Sequence, residues 1–344
     1  MSSCTSNFES SRAEASAKGY VVTLLLFIVA ASVFTIASNL IFNPYGIFAT
    51  KVFDYGSELN ERYAKYHFVQ SQPRFDTWLM GSSRSDIIDP AALSEVLPGQ
   101  RIYNYSFFSA YPSEIAQILE HFESAAPDKL PSSALIGFNY VSFDEYYPER
   151  SGAQWDQPYP IEGAHPFYLH IDALTANSWL AIYDVIKNNR SPHIRFDINK
   201  GFYQPIEQLT SLKQDPVAHS KQIFAAPYRD RPNPHWKEKE FSALTRIIEV
   251  ATRKEIDLKF YSYPVHPVFS REYSDQSIEQ WHARIEQLLS SSHYTNYLQL
   301  SHLGDVPEYW VDSKHFTPEL GVQLIAGLYD DCAQKTFFPC LTSH

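Results

Sequence analysis

The run from Tyr20 to Phe42, YVVTLLLFIVAASVFTIASNLIF, carries no charged side chain. A helix needs about 20 apolar residues to cross the hydrocarbon of a bilayer, whereas the apolar core of a cleaved signal peptide spans only about 7–15. The run is of the first kind. No A-x-A-like site lies at a suitable distance, and Cys4 precedes the run, so it is not a lipoprotein anchor cysteine. The expectation is an uncleaved signal anchor over 20–42, with a buried core helix as the competing reading. Arg12 and Lys18 precede the run and Lys51, Arg62 and Lys65 follow it. The basic bias that orients a single span is therefore weak.

The rest of the chain has the composition of a folded domain. Hydrophobic residues make up 44% of the 344 positions and charged residues only 19%, which argues against wholesale disorder. The net charge of -11 argues against the broad basic face that a nucleic-acid footprint requires. The 3 cysteines are too few for a disulfide scaffold, and their spacing fits no four-ligand zinc motif. No metal or cofactor is implied. Tyr and Phe number 23 each, a content that suits either buried packing or a carbohydrate-facing surface.

Asn43-Pro44-Tyr45-Gly46 reads as the turn that ends the anchor. Residues 43–72 read as a connector, partly helical through SELNERYAKYHFV. From residue 75 short apolar runs alternate with amphipathic stretches. FDTWLM (75–80), RIYNYSF (101–107), ALIGF (134–138), 258–263 and YLQL (297–300) read as strands. Residues 112–125, 237–254, 277–289 and 317–329 read as helices, the last beginning near Thr317 or Pro318. Alternating strands and helices predict an α/β fold, a three-layer α/β/α sandwich around a parallel sheet. Residues 141–235 break the rhythm and read as an insertion over the sheet, with one clear helix near 170–189.

Ligands of such sheets bind beyond the carboxyl ends of the strands. Gly81-Ser82-Ser83-Arg84 follows the first strand, Asn104 to Ala110 the second, and Gly137-Phe138-Asn139 the third. Asp312-Ser313-Lys314-His315 precedes the last helix. A serine hydroxyl becomes a nucleophile when a base takes its proton, and a carboxylate orients and stabilises that base. Ser83, His315 and Asp312 have the residue types for these three roles. An oxyanion formed at an acyl carbonyl needs donors. Candidates are the Ser83 N–H, an N–H near Ser106 to Ala110 (Ser106 or Ser109), and the Asn139 side-chain amide. Ser83 with Asp86 also fits a helix-capping pattern, and Asn139, Asp312 and His315 each have an ordinary turn or surface reading.

These blocks resemble those of the SGNH (GDSL-like) hydrolase superfamily over about 73–336, minus the insertion. The family pattern is Gly-Asp-Ser, Gly-x-Asn-Asp and Asp-x-x-His. Ser83 falls on its nucleophile, Asn139 on its oxyanion asparagine, and Asp312 and His315 on the other triad members. Ser82 and Tyr140 replace two of its aspartates, and no second-block glycine is evident. The Gly-Ser-Ser-Arg variant is similar to a membrane-anchored branch. That branch includes the D-alanyl transfer protein of teichoic acid synthesis and, more distantly, alginate and peptidoglycan O-acetyltransferases. The resemblance implies acyl transfer to, or ester hydrolysis on, a cell-surface polysaccharide or other acylated glycan. It also implies a multi-spanning membrane acyltransferase as a partner that brings acyl groups across the bilayer. The chain would then sit once through the inner (cytoplasmic) membrane, with 1–19 cytoplasmic, 73–336 periplasmic and 337–344 a C-terminal tail.

Other positions keep two readings each. Arg84 either pairs with a carboxylate under the site or binds an anionic substrate. His266, after the fourth strand, either lines the pocket or is a loop histidine. The tyrosine-rich stretch 140–168, with Asp144, Tyr146, Tyr147, Trp155 and Tyr159, is either a substrate-stacking lid or a hydrophobic cap. Cys332 and Cys340 are either a disulfide in an oxidising compartment or two free thiols. A non-catalytic glycan-binding or assembly module is the competitor to the enzyme, and transfer and hydrolysis are not distinguished by these residues.

Overall fold

The computed structural model describes residues 4–48, 52–57, 59–145, 178–223 and 234–329. It opens on α1 (Cys4–Phe42), of which the 26 residues Ala17–Phe42 are long and apolar enough to cross a membrane. A core helix would bury its apolar side chains, yet Tyr20, Leu26, Phe27 and Phe34 lie open. That removes the core-helix reading and leaves a membrane span or a signal sequence. The helix stops where Asn43 takes a left-handed conformation (φ 41°) and its amide donates to the Phe48 carbonyl at 2.8 Å.

The segment read as a connector folds against the domain. α2 (Glu61–Ser71) starts at Asn60, whose side chain accepts from the Tyr63 N–H, and it buries Tyr63, Tyr66 and Val69 in the main core. There follow β1 (Thr77–Met80), a single turn α3 (Ser83–Asp86), β2 (Ile102–Asn104), α4 (Pro112–Ala125) and β3 (Ser133–Phe138). The described part of the insertion holds α5 (Trp179–Arg190), a hairpin of β4 (Arg195–Asp197) and β5 (Phe202–Gln204), α6 (Ile206–Gln214) and α7 (Pro216–Ile223). The hairpin and the last two helices escaped the sequence reading, because their apolar runs are only a few residues long. The chain returns through α8 (Glu238–Lys254), β6 (Asp257–Ser262), α9 (Pro267–Ser270), α10 (Asp275–Leu288), β7 (His293–Asn296) and α11 (Pro318–Ala326).

Five strands form one parallel sheet in the order β2-β1-β3-β6-β7. The fifth strand is His293–Asn296 and not 297–300; the apolar residues after it form 3-10 turns that send Leu303 into the core. Successive strand residues point to opposite faces. Trp78, Met80, Ala134, Ile136 and Phe260 join one apolar cluster with residues of α4, α8 and α10. Leu79, Leu135 and Tyr261 join a second with Ile88, Leu93 and residues of α11. β1 and β3 are buried throughout, as strands covered on both faces must be. The order reverses direction between β1 and β3, and such a switch point opens a crevice at the carboxyl edge of the sheet.

Candidate active site

Gly81 ends β1 and lets the chain turn sharply into α3. A Cβ at Gly81 would sit 2.1 Å from the Tyr263 hydroxyl, and one at Gly137 would sit 2.5 Å from the Tyr263 ring. Two strands can therefore close around this tyrosine only as glycines. The Tyr263 hydroxyl in turn accepts from the Ser82 N–H at 3.1 Å and shares a hydrogen bond with Ser85 Oγ at 2.8 Å. Ser85 Oγ also bonds Tyr261 at 2.7 Å. The cap of α3 is Ser82, whose side chain makes no capping bond, so Ser83 is free of the capping role. Ser83 is the first residue of the turn, where an N–H has no partner within the helix. It is half-buried among buried neighbours.

The opposite wall is a tight loop closed by the Trp310–Phe316 bridge. Val311 N–H donates to the His315 carbonyl at 2.9 Å. Asp312 Oδ1 accepts from the backbone N–H groups of Lys314 at 2.7 Å and His315 at 2.9 Å. The same carboxylate meets His315 Nδ1 at 2.8 and 2.9 Å. Burial pushes the Asp312 carboxyl up, but the His315 hydrogen bond and charge and the two N–H groups outweigh it and hold the pKa down at about 2. An ionised carboxylate can only accept, so Nδ1 carries a proton, and in the uncharged ring Nε2 then presents its lone pair. That lone pair faces Ser83 Oγ at 2.8 Å. Residues 232 positions apart in the chain thus form one hydrogen-bonded line from carboxylate to imidazole to hydroxyl, with the hydroxyl donating to a base.

Two buried groups brace the loop that carries His315. Arg84 donates from Nε to the Lys314 carbonyl at 2.6 Å, and its guanidinium lies over the Tyr263 and Phe269 rings. On the other side, His219 of α7 reaches the Val311 carbonyl at 2.7 Å. Arg84 is buried, which suits a brace and leaves it badly placed to meet a substrate. His266 is buried as well; its Nδ1 accepts from the Val268 N–H and its Nε2 bonds the Gly304 carbonyl at 3.2 Å. Both ring nitrogens are occupied and burial lowers its pKa, so the structure gives it the role of capping α9. Tyr146 and Trp155 lie outside the described residues, as do Cys332 and Cys340.

The oxyanion candidates separate. Asn139 closes β3 and is buried, and its Nδ2 has no hydrogen-bond partner. Buried amides are nearly always satisfied, and this one lies at the carboxyl edge of the sheet without a partner. Ser106 is spent: its N–H donates to Asn104 Oδ1 at 3.1 Å and its hydroxyl to the Leu79 carbonyl at 3.2 Å. Ser109 instead takes a left-handed backbone (φ 51°), a conformation that favours glycine. Of the two serines near the place of the missing glycine, it is the one with a glycine-like backbone. Tyr140, the residue after Asn139, turns away into the core against Tyr273 and Trp281.

Sequence reading missed a buried charge cluster below the site. Lys65 Nζ, with no exposed surface, donates to Asp86 Oδ1 at 2.6 Å and to the Ser106 carbonyl, and lies 3.7 Å from Glu61 Oε2. Arg62 pairs with Glu114 and donates to the Phe108 carbonyl at 2.8 Å. Two cations of α2 thereby hold the 106–108 loop. Burial raises the pKa of both Glu61 and Asp86, and the charge of Glu61 raises Asp86 further, against the lowering by Lys65. Burial and mutual repulsion thus work against ionising the two carboxyls together, and the Lys65 ammonium between them opposes that. The only signal was ERYAK itself, a charged helix start that reads equally well as solvated.

A scan against protein-family models finds no family that matches the chain, and a search of curated proteins finds no match either.

Proposed function

We propose that the protein is a membrane-anchored serine O-acyltransferase or esterase, built as a three-layer α/β/α sandwich of the SGNH type. The observation that carries this reading is the 2.8 Å contact of Ser83 Oγ with His315 Nε2, behind which Asp312 holds Nδ1 at 2.8 Å. Heavy-atom separations of about 2.6–3.2 Å are those across which a general base removes a proton. In the reaction Ser83 Oγ attacks the acyl carbon while its proton passes to His315 Nε2. The oxyanion is met by the Asn139 amide and the Ser83 N–H. Collapse breaks the bond to the leaving group, which takes the proton from His315, and leaves an acyl ester on Ser83. His315 then takes a proton from the acceptor hydroxyl, whose oxygen attacks the ester; the bond to Ser83 Oγ breaks and His315 returns the proton to that oxygen. A sugar hydroxyl as acceptor gives transfer and water gives hydrolysis.

The polymer substrate is carried by the resemblance of the GSSR, GFN and DSKH blocks to the membrane-anchored branch of that superfamily. On the same basis α1 is an anchor in the inner membrane with the domain in the periplasm. Acyl donors made in the cytoplasm then require a multi-spanning acyltransferase as partner. A non-catalytic glycan-binding module is the second reading, favoured by the Ser106 N–H being committed to Asn104. The two separate on hydrolysis of p-nitrophenyl acetate by the full-length chain. The enzyme reading expects turnover with an acetyl group trapped on Ser83, and loss of both in Ser83→Ala. Turnover that survives in Ser83→Ala overturns the nucleophile.

A further inference from the structure

α5 is tied to the segment that leaves α1. Asn189 Nδ2 donates to the Asp54 carbonyl at 2.8 Å and its Oδ1 accepts from the Asp54 N–H at 3.1 Å. Asn188 Nδ2 donates to the Tyr55 carbonyl at 2.8 Å, and Asp184 accepts from the Ser57 hydroxyl at 2.9 Å. Phe53 stacks on Phe42, the last residue of α1, at 4.9 Å. The other end of α5 lies further back along α1, where Trp179 stacks on Phe34 at 5.5 Å. Phe34 lies eight positions before Phe42, about 12 Å at 1.5 Å per residue. The N-terminal half of α5 therefore runs alongside the apolar part of α1.

The outward face of that helix is graded. Ala181, Ile182 and Val185 are buried, while Leu180 is 82% and Tyr183 66% exposed. Leu180, Tyr183 and Lys187 recur at helical spacing on one stripe, which Arg190 continues. Read from the Phe34 end, the stripe goes from aliphatic to aromatic to cationic. Leu180 and Lys187 are about 10 Å apart along the axis. That is the order of groups from hydrocarbon through the interface to the phosphates, where tyrosine and tryptophan belts and snorkelling cations lie.

We infer that α5 is a second membrane contact: Trp179, Leu180 and Tyr183 enter the outer half of the bilayer that α1 crosses, and Lys187 and Arg190 meet its phosphate groups. The inference rests on α1 being a membrane anchor. It adds that the domain is fixed against the bilayer at one height and does not swing on a tether. The occupant of the face is lipid, because the face continues the exposed apolar surface of α1 through the Phe34–Trp179 stack.

The test uses the full-length chain in nanodiscs of phosphatidylcholine and phosphatidylglycerol doped with a lipid bearing a diazirine at mid-chain. Peptides are mapped by mass after irradiation. Labelling is expected in α1 and at 179–183, with none at Val217 of α7, which is also exposed. In a Leu180→Glu, Tyr183→Ser variant the α5 label is lost while α1 labels as before. Labelling in α1 without labelling at 179–183 overturns the inference and leaves the anchor standing. No labelling in α1 removes the anchor and the inference together. Labelling of Val217 equal to that of α5 also overturns it, since lipid would then be touching any exposed apolar group.

Discussion

Asn139 is the residue at which structure and chemistry can be told apart. Its Nδ2 is buried and unpartnered, so removing it costs the resting fold no hydrogen bond of that atom. Asn139→Ala is expected to slow acyl-ester turnover by about 10²–10³, the loss typical of one oxyanion donor. Its melting temperature should be unchanged or slightly higher, because an unsatisfied buried group has been deleted. A rate near that of the native protein would take Asn139 out of the site. A rate loss matched by a large stability loss would make it structural. Residue types and their order along the chain were enough to single out Ser83, Asp312 and His315, which the structure brings into one hydrogen-bonded line. They were not enough for Ser106, Arg84 and His266, since a short motif reads alike whether its N–H, guanidinium or imidazole is free or engaged by another part of the chain.

At the scale of elements, the turn after β1 depends on partners that come from β6. Tyr263 follows that strand and holds Ser82 N–H and Ser85 Oγ through one hydroxyl. Tyr263→Phe keeps the ring between Gly81 and Gly137 but leaves a buried N–H open. Denaturant unfolding should show a loss of about 1–3 kcal/mol, with activity falling because Ser83 is no longer held against His315. The buried cluster of α2 and α3 predicts a pH effect. The native pair of Glu61 and Asp86 has its pKa values raised, so the folded state keeps a proton that the unfolded chain releases above the ordinary carboxylate range. Their contribution to stability is therefore present at low pH and is lost as pH rises from the ordinary carboxylate range through the raised folded values. Glu61→Gln removes one of the two raised carboxyls and its repulsion of the other, and should flatten that part of the stability–pH curve. An unchanged slope would mean that Glu61 and Asp86 do not titrate above the ordinary carboxylate range in the folded protein. The strands with strong apolar runs, β1, β3 and β6, were legible in the sequence, as were α4, α8 and α10. The hairpin of the insertion and α6 and α7 were not, because three-residue strands and short helices give too little periodicity to register. The displacement of β7 by a few residues has the same origin: HYTN is polar, and the apolar run beside it drew the assignment.

For the molecule as a whole, an apolar helix at one end and the 312–315 loop near the other are joined through the same domain. α2, which begins 19 residues after α1 ends, supplies Arg62 and Lys65 to the loop beside Ser83. The segment that reads as a tether is part of the site's foundation, so trimming the chain at residue 73 is expected to destroy the fold and not merely to release it. The central claim is that the Ser83 hydroxyl is activated by His315. Its most direct test is reaction of the full-length protein with a fluorophosphonate probe, located by peptide mass. The account predicts one adduct, on Ser83, formed by the native protein and not by His315→Ala. No adduct on Ser83 in folded protein, or equal labelling when His315 is replaced, would contradict it.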